Sequence, residues 1–225
     1  TVAVSVGGGR PLDVAFRLVP PGGDVKQPFY LGACEVSIGE FRNFSKQVLG
    51  ESIFSDNSLP VTGIDYIKAV RYCNWLSQRL QIAPPPYKCA AADPAASGLD
   101  DWQRNDASPG LALATAAQWQ HACDYRPAGE YTDTPLYKEQ TSTPRKRAWL
   151  QSAACKPNAL GLYALRGNVA ELISDCVGSL VKREIVMGRS CKVTAAEAAD
   201  KMRVEIYPGD DRSLVGFRLA LPIAP

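Results

Sequence analysis

The chain has 225 residues, of which 46% are hydrophobic, and that apolar share excludes a disordered protein. Twenty-five basic residues against 23 acidic ones leave a net charge of +2, so neither nucleic acid nor an anionic lipid surface is expected as a partner. No apolar run approaches the ~20 residues that cross a bilayer, so no direct membrane insertion is expected.

The chain starts "TVAVSVGGGR", without Met and without a signal peptide. It reads as a mature cleavage product or a trimmed chain. Gly and Pro number 18 and 17, which points to many turns and irregular connections. No internal repeat and no long linker divides the chain, so one domain over 1–225 is expected.

"PFYLGACEVSIGEFRNFSKQVL" reads as a strand running into a helix. Ser37 and Glu40 have capping-box spacing, which starts the helix at Ile38. Phe41, Phe44 and Val48 then share one face. In "LPVTGIDYIKAVRYCNWLSQRL", Ile67, Val70, Cys73, Leu76 and Leu80 recur at helical spacing. Cys73 therefore faces the core, as a packed thiol rather than a half-cystine.

Ala83 to Gly110 follows as a long Pro-, Ala-, Asp- and Gly-rich segment. Loops of that length are functional or tied down, and Cys89 is one candidate tie. "LATAAQWQHACDYR" is a third helix, capped by Thr115 and Gln118, with Trp119, Ala122 and Cys123 on one face. His121 reads as an ordinary residue of the helix surface or core edge. Thr194 and Glu197 open a short fourth helix. The tail "RVEIYPGDDRSLVGFRLALP" reads as a strand, a Pro-Gly-Asp turn and one closing strand. Few short strands, three or four helices and dominant coil give an irregular, coil-rich α+β fold; the absence of βαβ alternation excludes Rossmann and barrel folds.

"GLYALRGNVAELISDC" leaves two readings open. It is a turn and a short helix, or Glu171 is there to hold something. The seven cysteines, with no C-x-x-C among them, fit an oxidising compartment with at least one unpaired thiol. Buried thiols in a reducing cytosol are the alternative. A single histidine argues against a zinc cluster.

Five pieces in order resemble the formylglycine-generating enzyme (sulfatase-modifying factor) family. They are "YLGACEVSIGEFRNF", "PVTGIDYIKAVRYCNWL", "LATAAQWQHACDYR", "NALGLYALRGNVAELISD" and "VGFRLAL". The resemblance covers Pro28 to Leu221 and implies an irregular α+β fold related to C-type lectin domains. It also implies a calcium loop, with Gly167 and Val169 giving backbone carbonyls and Glu171 its side chain, since calcium takes hard oxygen ligands. Ala164 stands where the family has Asp or Asn, which removes one ligand. The other reading of these residues is a turn at Gly167 and Asn168, with Glu171 paired to a nearby cation.

The family's enzyme oxidises a substrate cysteine with two active-site thiolates and copper, and soft sulfur selects Cu(I). Gly188, Arg189 and Ser190 match the segment that precedes those cysteines. Cys191 follows, and no cysteine comes after it. Ala195, Ala196, Ala198 and Ala199 occupy the region of the second thiol. No copper is therefore expected, and Cys191 reads as a structural half-cystine. Ala116 and Gln118 replace acidic positions, and Ala170 and Leu172 replace aromatic ones. One histidine and no added helical domain argue against the family's iron-dependent branch.

The resemblance thus implies a non-catalytic, periplasmic or otherwise exported protein that binds another protein. Chains of this type promote activation of a membrane Ser/Thr kinase in bacterial type VI secretion, through the kinase's periplasmic part. The alternatives are a copper-dependent cysteine oxidase using Cys191 and a remote thiol such as Cys176 or Cys155, and a calcium-dependent ligand-binding module with Trp102, Trp149 or Tyr131 at its site. Partner contacts are expected in Ala83–Gly110 and Glu130–Gln151. The second stretch includes Arg145, Lys146 and Arg147, a basic run that reads as a solvated loop able to steer toward an acidic partner.

Overall fold

The structure, a computed structural model, describes residues 2–4, 14–51, 56–127, 129–130, 132–151, 154–177, 183–200, 202–207 and 209–223. Eleven strands are found among them: β1 (Val2–Val4), β2 (Val14–Val19), β3 (Phe29–Gly32), β4 (Tyr87–Cys89), β5 (Trp102–Arg104), β6 (Ala112–Leu113), β7 (Ala170–Val177), β8 (Arg183–Met187), β9 (Arg203–Ile206), β10 (Val215–Phe217) and β11 (Leu219–Pro222). The α-helices are α1 (Ile38–Phe44), α2 (Tyr66–Arg79), α3 (Ala116–Asp124), α4 (Arg147–Leu150) and α5 (Ala195–Asp200). Two sheets carry the fold, ordered β1-β2-β3-β11-β6 and β10-β7-β8-β9, with a separate β4-β5 hairpin. The fold is an irregular α+β one, as the sequence indicates, but it holds more strand than expected.

The caps fall where the spacing puts them. Ser37 and Glu40 bond reciprocally at the start of α1, as do Thr115 and Gln118 at α3. Glu197 accepts from the Thr194 backbone at 2.7 Å while Thr194 Oγ1 accepts from the Glu197 backbone at 3.2 Å. Each pair satisfies two orphan backbone donors of a first helical turn.

The expectation for Val48 is corrected. After Phe44 the helix passes into a π turn, Ser45–Leu49, and Val48 is 37% exposed. The wider turn rotates Val48 off the buried stripe of Phe41 and Phe44. In α2, Asp65 caps the helix, and Val70, Cys73 and Leu76 are buried with Ala69 and Tyr72. Cys73 is a packed thiol, and its burial holds the proton on sulfur. Tyr72 meets Phe41, Phe44, Trp75 and Phe217 with ring centroids 5.2–5.9 Å apart. That aromatic group binds α1 and α2 to β10, the strand that leads to the site.

Ala83–Gly110 is tied down, but not by sulfur. Its middle forms β4 and β5, and Asn74 of α2 bonds both the N–H and the carbonyl of Tyr87. Cys89 is a half-buried free thiol. No disulfide joins the described residues, and Cys34, Cys73, Cys89, Cys123, Cys155 and Cys191 are free. The tail is corrected too. Its closing strand is two strands in two sheets, β10 parallel to β7 and β11 antiparallel to β3 and β6. Arg218 sits at the crossover between them.

Candidate functional site

"GLYALRGNVAELISDC" contains no short helix. Gly167 and Asn168 turn the chain at φ +96 and +64°, and β7 starts at Ala170. A Cβ on Gly167 would lie 2.3 Å from the Leu136 carbonyl oxygen, so the turn admits only glycine. β7 then carries Glu171 into the interior, where it is 1% exposed.

A buried carboxylate demands a counter-charge and hydrogen bonds. Arg218 supplies both. Its Nε donates to Glu171 Oε1 and Oε2 at 2.9 and 2.8 Å, and its Nη2 donates to Oε1 at 2.6 Å. Trp119 Nε1, from α3, donates to Oε2 at 2.8 Å. The remaining guanidinium donors reach the Gly32 and Tyr163 carbonyls at 3.0 and 2.9 Å. Burial by itself would lower the Arg218 pKa. The charge and hydrogen bonds of Glu171 outweigh it and hold the guanidinium protonated.

Both oxygens of Glu171 are thus taken by a fixed cation and an indole. The residues present do not fit a calcium centre through Gly167, Val169 and Glu171. Glu171 follows the other reading, pairing with a cation. Among the described residues, no group of three or more His, Cys, Asp or Glu is arranged to hold a metal.

A second buried carboxylate lies alongside. Glu35 Oε1 accepts from Asn168 Nδ2 at 2.8 Å, and Asn168 Oδ1 accepts from the Arg145 backbone at 2.7 Å. Burial pushes Glu35 up to about 7; Arg218 pulls it back and Glu171 adds to the rise. One guanidinium faces two carboxylates, and Glu171 holds it more closely.

The basic run is only in part the solvated loop expected. Arg147 turns inward, donating to Glu40 Oε1 and Oε2 at 2.6 and 2.7 Å and to the Glu35 carbonyl at 2.8 Å. Lys146, the more exposed cation, pairs with Asp56 at 2.6 Å. Arg145 is half-buried. Long basic side chains lay their stems on the core and reach internal acids, which a sequence does not display.

Cys191 is also corrected. It is a free thiol with no measurable exposure, not a half-cystine. Its backbone N–H donates to the Asn168 carbonyl at 3.0 Å, tying it to the turn beneath. Burial raises its pKa; the charges that act on it are Lys192 and Arg145, with no second thiol among them. An open cleft of about 270 Å³ lies on this side of the second sheet. Ser190 and Lys192 line it, together with Arg189, Glu205, Asp211 and Ser213. Cys191, between two lining residues, does not reach it. Cys155 lies in another cluster, with Cys34, Leu136 and Leu150. The side chain of Cys176 lies outside the described residues.

A model of the sulfatase-modifying factor enzyme 1-like domain matches residues 4–223. The chain belongs to the sulfatase-modifying factor family. Variable protein 1 of Treponema denticola has a similar structure, with TM-score 0.73 and 22% identity over 99% of each chain. The crystal structure of CarF gives TM-score 0.72 at 21% identity, over 94% of this chain and 99% of that one. PvdO from Pseudomonas aeruginosa gives 0.60 at 16%, over 96% and 85%. At these identities the likeness shows the fold alone. No curated protein matches the chain.

In this sulfatase-modifying factor domain the motif residues do structural work. Trp119, Glu171 and Arg218 come from three separate motifs and meet in one bonded cluster. Asp175 ends the fourth piece and accepts from the Ala116 backbone at 2.7 Å, holding the N-terminus of α3. Sequence reasoning missed the partnership of Arg218 with Glu171. The available signal was one charge each in the apolar runs "VGFRLAL" and "NVAELI". Of the loop aromatics, Trp102 is 5% exposed and its indole N–H donates to Ser97 Oγ at 2.7 Å, so it anchors its loop. Tyr131 and the Trp149 side chain lie outside the described residues.

Proposed function

We propose that this chain is a non-catalytic member of its family that works by binding another protein. One observation carries the reading. Cys191 is buried beside a cleft that its two neighbours line, and that burial raises its thiol pKa. The thiolate is the species that ligates metal and attacks, so a buried thiol at this point supports the non-catalytic reading. The alanines of α5 support the same view, with Ala198 fully buried where the resemblance puts the second thiol.

The narrower form of the proposal rests on the resemblance alone. The chain acts in the bacterial periplasm, on the periplasmic part of a membrane Ser/Thr kinase of type VI secretion, and promotes its activation. No disulfide joins the described residues, and the compartment rests on the resemblance as well.

Affinity capture from native envelope tests the reading. A discrete partner should be retained at moderate salt, equally by wild type and by Cys191→Ser. With the exported part of such a kinase supplied, autophosphorylation should rise several-fold. Capture of nothing across low and moderate salt contradicts the binding role.

A further inference from the structure

Another cavity lies between the last two turns of α2 and the segment that follows. Its volume is about 630 Å³, within the range of clefts that hold small ligands or large side chains. Val48, Trp75, Ile82, Pro85 and Trp102 form an apolar wall. Arg71, Gln78 and Gln81 stand among them and have no side-chain partner among the described residues. Arg79 stacks over the Trp75 ring at 4.7 Å while its Nη2 donates to Gln47 Oε1 at 2.5 Å, so a second cation, held by a neutral partner, lies against a wall residue of the cavity. Among the described residues, no carboxylate lines the cavity.

The parts are unusual for idle surface. Val48 is turned outward by the π turn, at the cost of its place in the core. Trp75 closes the aromatic group around Tyr72 with one face and meets the cavity as well. An apolar wall selects a large hydrophobic side chain. Unpaired guanidinium and amide groups select carboxylates and peptide groups around it. A cationic occupant would meet two arginines and no counter-charge.

We propose that this cavity receives the partner's anchor: an extended peptide segment with a Phe or Leu flanked by acidic residues. The inference rests on the protein-binding role and names the surface that performs it. It puts the contact on the residues from Val48 to Trp102 that line the cavity, none of which lines the cleft beside Cys191 or belongs to the 145–147 run. Trp75 and the apolar wall hold the anchor side chain. Arg71 and Arg79 pair with the flanking carboxylates, and Gln78 and Gln81 bond the peptide backbone.

Three acetylated, amidated tripeptides test it: Glu-Phe-Glu, Lys-Phe-Lys and Glu-Ala-Glu, each titrated into the full chain while the Trp75 and Trp102 indole N–H resonances are followed by NMR. Glu-Phe-Glu should give saturable shifts, with the other two at least tenfold weaker. Arg71→Glu should invert the order of the Glu and Lys peptides, and a variant that inverts a preference has kept its fold. Equal binding of the Lys peptide, equal binding of the Ala peptide, no shift with any peptide, or an order unchanged in Arg71→Glu each overturns the inference. Envelope capture that succeeds while the peptides fail sinks only this cavity. Peptides that bind while capture fails sink the protein-binding role.

Discussion

Arg218→Ala lowers the stability of the folded chain by about 3–5 kcal/mol, the cost of breaking a buried ion pair from one side. The substitution leaves Glu171 charged, 1% exposed, and bonded only to the Trp119 indole. It also removes donors from the Gly32 and Tyr163 carbonyls, which joins a sheet loss to the charge loss. For a chain of this length the melting temperature should fall by roughly 6–20 °C, read by calorimetry. Converting the pair together, as Glu171→Leu with Arg218→Met, should recover part of the loss, because no lone charge stays buried. The recovery is partial since the carbonyls still lack donors. A shift of under about 2 °C for Arg218→Ala would mean that the cluster does not hold the two sheets together.

Glu35→Gln should stabilise the chain at neutral and alkaline pH and flatten its pH dependence. Glu35 rises from about 4.5 in the unfolded chain to about 7 in the folded one, burial being the main cause. The folded state therefore binds the extra proton between those values. Stability from this group is fully present below about 4.5 and is lost as pH rises through about 7. The loss is on the order of 3 kcal/mol. Glutamine cannot ionise and keeps an oxygen for the Asn168 amide. At pH 8 its melting temperature should exceed that of wild type, and at pH 4 the two should converge. Equal melting temperatures at pH 8 would show that Arg218 serves Glu35 as well as Glu171.

The parts of this fold that were legible in the sequence are those with a local cause. Caps at Ser37, Thr115 and Thr194 depend on residues three apart, and the buried stripe of α2 depends on helical period. β7 and β8 were not legible. Glu171, Leu172 and Ile173 are buried in succession, so the strand shows no alternation, and a short apolar run does not declare its period. The split of the closing strand at Arg218 follows from a partner 47 residues away. No window around "VGFRLAL" contains that information.

The site was legible in sulfur count and illegible in direction. That Cys191 has no later partner is plain from the chain. That it faces inward, while Ser190 and Lys192 face the cleft, depends on its bond to the Asn168 carbonyl. The pairing of the acidic and basic side chains was hidden from the sequence for one shared reason. Glu171, Arg145 and Arg147 look free in a string of letters. Glu171 and Arg147 turn inward and meet opposite charges, while Lys146 between the two arginines stays exposed.

Peptide-thiol oxidation under oxygen, with copper(I) added in increments, tests the non-catalytic reading most directly, run side by side on wild type and Cys191→Ser. Wild type should show no thiol-dependent copper uptake and no turnover above the buffer rate, with the variant indistinguishable from it. Turnover in wild type that vanishes in Cys191→Ser would establish an oxidase and contradict the reading.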